Sequence, residues 1–509
     1  MPFFSSNKRQ LRVAVIGTGF SGICAAIKLE QQLGIKAQIF ELNKDMAGTW
    51  YANRYPGAEC DIPSHLYSFS FEQNPSWTKH YSSQPEIYAY LQGVARKYGL
   101  YERTKFETEV VRAEWNEQQH QWFLEWRNVH DHEQTGSGYF DAVMSGLGGL
   151  RIPNVPKEFQ SFSGPIVHTT FWDNKLDYAN KKIAVIGSGA SAIQAVPELQ
   201  KIAKHVYSYQ RTPAWVSVRD QYTYSRTWKF ILRWIPFVLR FYRILIYIKH
   251  ELFFVNFKYQ KFLGEYVKKK FVAGMSARLT AAGRPDLIPA VVPDYPVGCK
   301  RITKSEIYLE ALAASNVTVI RSGVDEIKGQ TLIDKDGNET EVDILILATG
   351  FHVDDVSGNL KIYGRNGVFL KDLWEYEKKS YKSVTIHGFP NYFTLLGPSS
   401  GLGHNSIVTI IEIQVDYAVQ CIKRLIKKDL AAIEPKKEAQ EKFVADVQKG
   451  FEGTVWKGGC KSWYMNKNGE IYSLWSGSIT SFYFALRKPI FNDFIEYKRT
   501  KNTTLTNGK

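Results

Sequence analysis

Two glycine-rich turns carry the first chemistry legible in this chain. Gly17-Thr18-Gly19-Phe20-Ser21-Gly22 follows the apolar run Leu11–Ile16 and leads into a helical pattern, Ile23–Leu33. In a strand–turn–helix unit each glycine has its task. The first makes the tight turn, the second lets the backbone approach a pyrophosphate, and the third lets helix and strand pack closely. The helix start then offers free N–H groups and a positive dipole end to the phosphates. The order recurs at Lys182–Ile186, followed by Gly187-Ser188-Gly189-Ala190-Ser191-Ala192 and a helix through Leu199. Glu41 stands 19 residues after Gly22, at the end of a second strand, where an acid accepts from ribose hydroxyls. The equivalent place after Ala192 holds Arg211. A carboxylate repels a 2′-phosphate and a guanidinium grips it, so the first site suits a free 2′-hydroxyl and the second suits NADPH.

These turns must be positioned by parallel sheets. The expected fold is α/β, with two Rossmann-type dinucleotide-binding domains and a helical insert. A third segment, Glu341–Gly350 (EVDILILATG), reads as a buried strand ending in a small-residue turn. A chain of 509 residues exceeds what one core usually organises.

Composition excludes several classes. The formal charge of +15 comes without a helix-turn-helix, zinc-finger or RNA-binding aromatic pattern, which turns the reading away from nucleic acid and toward anionic cofactors or an anionic membrane surface. Cys24, Cys60, Cys299, Cys421 and Cys460 are scattered, with no CxxC and no Cys–His cluster. That argues against a metal site or disulfide scaffold and fits a reducing compartment. No 18-residue uncharged apolar stretch occurs, and the segment before Leu11 has no apolar run of signal-peptide length. The expected location is cytoplasmic, with peripheral membrane attachment as the alternative. The polar tail after Lys498 is expected to be disordered.

The segment Phe162–Asp173 (FSGPIVHTTFWD), with Gly48-Thr49-Trp50-Tyr51, Arg54-Tyr55-Pro56-Gly57 and Asp61, resembles the type I Baeyer–Villiger monooxygenases. The likeness runs from Arg12 to about Gly477 and is weakest over 221–280. It implies FAD, NADPH, O2 and a small-molecule ketone, which is converted to an ester or lactone through a C4a-peroxyflavin. It also implies an FAD domain of residues 1–150 and 340–509 and an NADPH domain of residues 151–339, with the insert at about 218–290. On the motif Asp294–Arg301, Arg301 becomes the catalytic cation and Asp61 the acid that orients it, while Lys300 assists Arg211 and Thr212 at the 2′-phosphate. Gly17, Gly19, Phe20, Ser21, Gly22, Glu41, Gly48, Thr49, Trp50, Asp61 and Tyr67 become the FAD-side residues. Gly187, Ser188, Gly189, Ala190, Ser191 and Trp463 join the NADPH side. The turn Leu396–Ser406 should lie at the flavin's ring end, and Trp475–Gly477 should end the mobile segment that carries Trp463. His168 reads as a linker between domains, and Asp173 as a cap of the following helix. Cys299, beside the motif, has no neighbouring base or resolving thiol, so a thiol mechanism is set aside. The alternatives are N- or S-oxygenation, or a flavoprotein reductase. A reductase has no need of the Arg301–Asp61 pair.

The insert carries a second question. Arg226, Lys229, Arg233, Arg240 and Arg243 fall within an arc of roughly 100° on a helical projection, with bulky apolar residues on the rest and Pro236 as an expected break. The preferred reading is a lid over the substrate cavity with its basic face in solvent. The other is an interfacial helix, residues 226–255, lying on a membrane.

Overall fold

Two parallel sheets carry the two glycine turns. The computed structural model describes residues 10–355, 357–459, 462–466 and 468–499. The tail beyond Arg499 and Cys460 therefore lie outside the described residues.

In the first sheet the order is Thr385–Ile386, Phe389–Thr394, Ala142–Ser145, Val13–Ile16, Gln38–Phe40, Thr104–Lys105. It is parallel except for its Thr385–Thr394 hairpin. Val13, Ala14, Val15 and Ile16 are all buried, as a strand covered on both faces requires. The helix Phe20–Leu33 covers one face and packs on the long helix Ile407–Lys428.

The second sheet runs Val317–Ile320, His205–Tyr209, Lys182–Ile186, Ile344–Leu347, Ile166–His168, all parallel. The strand Ile344–Leu347 thus pairs with Lys182–Ile186 in the second sheet, whereas the boundary expected between residues 339 and 340 put it in the first domain. Its register, Ile344 to Ile183 through Leu347 to Ile186, sets the turn Ala348-Thr349-Gly350 beside the second glycine turn.

Between paired two-residue strands, Val216–Ser217 and Thr303–Lys304, the chain leaves the second sheet as a helical insert. Its helices are Arg226–Trp234, Val238–Phe253, Val255–Lys258, Gln260–Ala281 and Ile288–Val291. Pro236 splits the first two, as expected. None of the described helices is long and apolar enough to cross a membrane.

Three expectations change here. Arg243 is no part of an outward basic face, for it is buried and donates to the Ser68 hydroxyl (3.2 Å) and the His65 carbonyl (2.5 Å). Asp173 caps no helix; its carboxylate accepts from the Lys175 amide (2.8 Å) in a turn. Cys299 is disulfide-bonded, which the reading of the cysteines as a reducing-compartment set did not foresee, whereas Cys24, Cys60 and Cys421 are free and buried.

Candidate active site

One cavity of about 1430 Å³ joins both glycine turns. At one end lie Gly17, Gly19, Phe20, Ser21, Glu41, Gly48, Thr49, Trp50 and Tyr67. At the other lie Gly187, Ser188, Gly189, Ala190, Ser191, Arg211, Thr212 and Lys300, with Asp61, Arg301 and Trp463 between. Gly22 is the one expected site residue that does not line it. A Cβ there would sit 1.8 Å from the Gly17 carbonyl oxygen, so Gly22 serves the packing beneath the turn.

The turns fit a dinucleotide phosphate. Gly19 and Gly189 cap the helices Phe20–Leu33 and Ala190–Gln200 with extended backbone, and no side chain caps the first amides. A Cβ on Gly189 would meet nothing within 4 Å, so the cavity is open where a phosphate would approach the backbone. Glu41 is buried, with its carboxylate accepting from the Thr18 amide (2.8 Å) and the Asn43 side chain (2.7 Å).

At the second end the field is positive. Lys300 stands over the Tyr295 ring, its ammonium 5.0 Å from the centroid. Burial lowers its pKa and the neighbouring Arg211 lowers it further, with Asp294 opposing. Lys335 joins them; it approaches Gly323, as does Arg211, and lines the cavity. Sequence reasoning missed it, although Lys335-Asp336-Gly337 is a turn and turns are where binding side chains collect.

Arg301 and Asp61 meet in the middle. Asp61 Oδ2 accepts from Arg301 Nη2 (2.6 Å) and Nε (3.0 Å), and Arg301 Nη1 donates to the Leu402 carbonyl (3.3 Å). Both side chains are about 30% exposed (30% and 29%) and face the cavity. Burial alone would raise the Asp61 pKa, but Arg301 and Lys304 overcome it and hold the carboxyl ionised below its usual range. Burial works against charge on Arg301 as well, and the adjacent Asp61 more than reverses this. The pair is therefore fixed as an ion pair.

Lys304 is the second residue that the motif did not reveal. It follows in the strand Thr303–Lys304, donates to the Asp61 carbonyl (3.1 Å) and lines the same cavity. Its pKa is lowered by burial, with Asp61 opposing. A lone lysine three residues beyond Arg301 carries no pattern, so only the strand pairing exposes it.

Other expected residues fall around this centre. Leu396, Gly397, Ser400, Leu402 and Asn405 line the cavity ahead of the helix Ile407–Lys428. Gly401 bonds to the Trp463-bearing segment through Ser473 (2.7 Å) and Trp475 (2.8 Å). Trp463 is exposed at the rim, while Trp475 stacks on Phe443 and does not line the cavity. His168 is buried outside the cavity. Its Nδ1 accepts from the Thr170 amide (3.2 Å), so Nε2 carries the proton and donates to the Gly350 carbonyl (3.1 Å). Thr170 in turn donates to Asn53 (3.2 Å), which ties the second sheet to the first domain. The insert contributes no lining residue between 215 and 294, so its aromatic side chains do not form the expected lid over this cavity.

Residues 10–262 match the family described as flavin-binding monooxygenase-like. The chain is 40% identical over 474 residues to a Baeyer–Villiger monooxygenase of Pseudomonas aeruginosa, covering 92% of this chain and 88% of that one. It is 32% identical over 500 residues to an FAD-binding monooxygenase of Aspergillus niger, covering 95% of this chain and 81% of that one. A steroid monooxygenase solved in its oxidised form with NADP superposes with a TM-score of 0.82 at 25% identity, covering 96% of this chain and 100% of the other.

Proposed function

The chain belongs to the Baeyer–Villiger monooxygenases and is an FAD- and NADPH-dependent enzyme; we propose that Arg301, held by Asp61, is the cation around which it oxygenates a ketone to an ester or lactone. The observation that carries this reading is the placement of that ion pair between two dinucleotide cradles in one cavity.

Bound FAD supplies hydride acceptance and oxygen activation, which no side chain here can provide. The chain's own part is electrostatic and geometric. The first cradle, with Glu41, holds the dinucleotide whose 2′-hydroxyl is free, and the second, with Arg211, Thr212 and Lys300, holds NADPH. A guanidinium has five N–H donors, and among the described residues Asp61 and Leu402 take three of them. One N–H on each terminal nitrogen is left for an oxygen that gains negative charge during addition to the ketone. Fixed donors facing such a cavity act more strongly than donors in bulk solvent, and they need no reorganisation as charge develops. Asp61 sets the direction of the fork, and Lys304, lining the same cavity, donates to the Asp61 carbonyl.

Arg301→Ala tests the assignment. The variant should still bind FAD and still be reduced by NADPH, while ester formation from a ketone panel falls by roughly 10²–10³ or more, the loss typical of an oxyanion donor. Product analysis separates this from a reductase, which would oxidise NADPH and yield no ester in the parent protein. Parent-level ester production by Arg301→Ala would remove Arg301 from the role.

A further inference from the structure

The insert's outer surface is apolar where a water-facing helix should be polar. On the helix Val238–Phe253, Phe241, Ile244, Leu245, Ile248 and Leu252 are all exposed. At 100° per residue they share an arc of roughly 100°. Arg240 and Lys249, also exposed, stand roughly 40° beyond its two edges. The polar residues Arg243 and His250 lie on the opposite side and are buried against the protein. The helix is therefore amphipathic with its apolar stripe outward, flanked by cations.

Neighbouring elements also expose large apolar side chains. Phe230 and Trp234 of the preceding helix and Phe262 of a following one are exposed too. At the turn between the first two helices, Phe237 is 81% exposed and sits at φ +67°, ψ −18°. A bulky residue rarely adopts that backbone, so the turn is held against local preference while presenting an aromatic ring to the outside. An apolar stripe of this kind turned outward on a folded protein marks a docking face.

The charge identifies the occupant. From residue 226 to 270 there are eleven Lys and Arg, all but the buried Arg243 candidates for the outer face, against two acids, Glu251 and Glu265, with Asp220 just before this stretch 3.9 Å from Lys249. Glu251 points inward, accepting from the Thr480 amide (2.7 Å) and Asn405 (3.2 Å). A second copy of the chain docked on the same patch through a two-fold axis would bring these cationic borders together, a repulsive arrangement. A negatively charged lipid surface satisfies both features, since side chains of the stripe enter the acyl boundary while the flanking cations meet headgroups. We propose that the insert, led by the turn at Phe237 and the outer stripe of Val238–Phe253, docks the enzyme reversibly on an anionic membrane surface without crossing it. Glu251 of the same helix accepts from Asn405, a cavity-lining residue just ahead of the helix Ile407–Lys428, so the docking element is bonded to the cavity wall.

The test is co-sedimentation of the FAD-loaded full chain with vesicles of phosphatidylcholine alone or mixed with phosphatidylglycerol. The mixed vesicles should carry down the enzyme at 0.1 M salt and release most of it at 1 M, as the Debye length falls from about 10 Å to about 3 Å. Arg240→Gln and Lys249→Gln should each weaken partition about fivefold. Phe237→Ser should weaken it roughly tenfold to hundredfold, by loss of one buried aromatic ring. All three side chains are exposed and outside the cavity, so oxygenation in vesicle-free solution should be unchanged. Retention in the supernatant with mixed vesicles at low salt overturns the proposal. So does vesicle binding that is indifferent to these substitutions. Self-association of the chain that Phe237→Ser abolishes, with no vesicle binding, would assign the patch to a contact between copies instead.

Discussion

The two glycine turns superimpose in kind almost residue for residue, yet they end differently. Gly17 and Gly187 both have positive φ (90° and 123°), and Gly19 and Gly189 cap their helices at nearly the same backbone angles (φ −72°, ψ −170° and φ −78°, ψ −170°). At the tip of the adjacent strand the first has Glu41, buried and held by Thr18 and Asn43. The second has Arg211, exposed and gathered with Thr212, Lys300 and Lys335 on the cavity wall. The backbone geometry that suits a pyrophosphate is the same in both sheets. On the proposed reading, the identity of the ribose is decided by one side chain on the next strand and its neighbours. A fold can thus be duplicated while its ligand is changed by a handful of charges.

The deepest difference between the turns lies at their third position, and it gives the largest expected effect. Gly22 has no room for a methyl group, because a Cβ would lie 1.8 Å from the Gly17 carbonyl oxygen, a backbone atom that cannot step aside. The second turn already carries Ala192 there, fully buried. Gly22→Ala should therefore lose about 3 kcal/mol or more of stability through forced backbone displacement, and should purify without flavin. Ala192→Gly should cost only about 0.5–1 kcal/mol through backbone entropy and keep its flavin absorbance. Denaturant titration and the visible spectrum read both. A Gly22→Ala protein as yellow and as stable as the parent would show that the two turns are interchangeable.

Both turns were legible in the sequence because their chemistry is local, with strand, glycines and helix lying within about 25 residues. The arginine–acid pair was legible only through a motif, since Asp61 and Arg301 are 240 residues apart. What was misread depends on non-local packing. The strand Ile344–Leu347 looks alike in either sheet, and only its register with Lys182–Ile186 assigns it. Periodicity on the insert shows which residues share a face but not which face is turned inward. Arg243 therefore looked like part of a solvent stripe until its bonds to His65 and Ser68 placed it inside. Lys304 and Lys335 reach the cavity from single positions without spacing or repetition to announce them.

A second prediction sharpens the contrast between Glu41 and Arg211. If Arg211 reads the 2′-phosphate, Arg211→Ala should raise the KM for NADPH while leaving that for NADH nearly unchanged. Loss of one charge-assisted contact corresponds to about 1.5–3 kcal/mol, or roughly ten- to hundredfold. Stopped-flow reduction of the flavin by each nucleotide measures it directly. Equal kinetics with both nucleotides in the parent protein would mean that the difference at the strand tips decides nothing.

The smallest effect concerns how the cations at the second turn act on one another. Lys300 can attract a 2′-phosphate only while protonated, and its pKa is lowered first by burial and then by the positive charge of Arg211. The apparent second-order constant for flavin reduction by NADPH, which reports groups in the free enzyme, should fall as pH rises through that lowered pKa. NADH, without the phosphate, should show no such limb. The site is partly open, so the limb should be modest, about 1 kcal/mol or less and hence at most about fivefold. Removing Arg211 takes away a like charge, and the Lys300 pKa then rises toward its ordinary value. Arg211→Ala should accordingly bind NADPH more weakly at every pH but lose its remaining affinity at a higher pH than the parent. Lys300→Arg keeps the charge throughout the range and should flatten the limb. If the limb stays where it was in Arg211→Ala, or is present equally with NADH, then Lys300 does not sit at the phosphate and the positive end of the cavity is built by Arg211 and Lys335 without it.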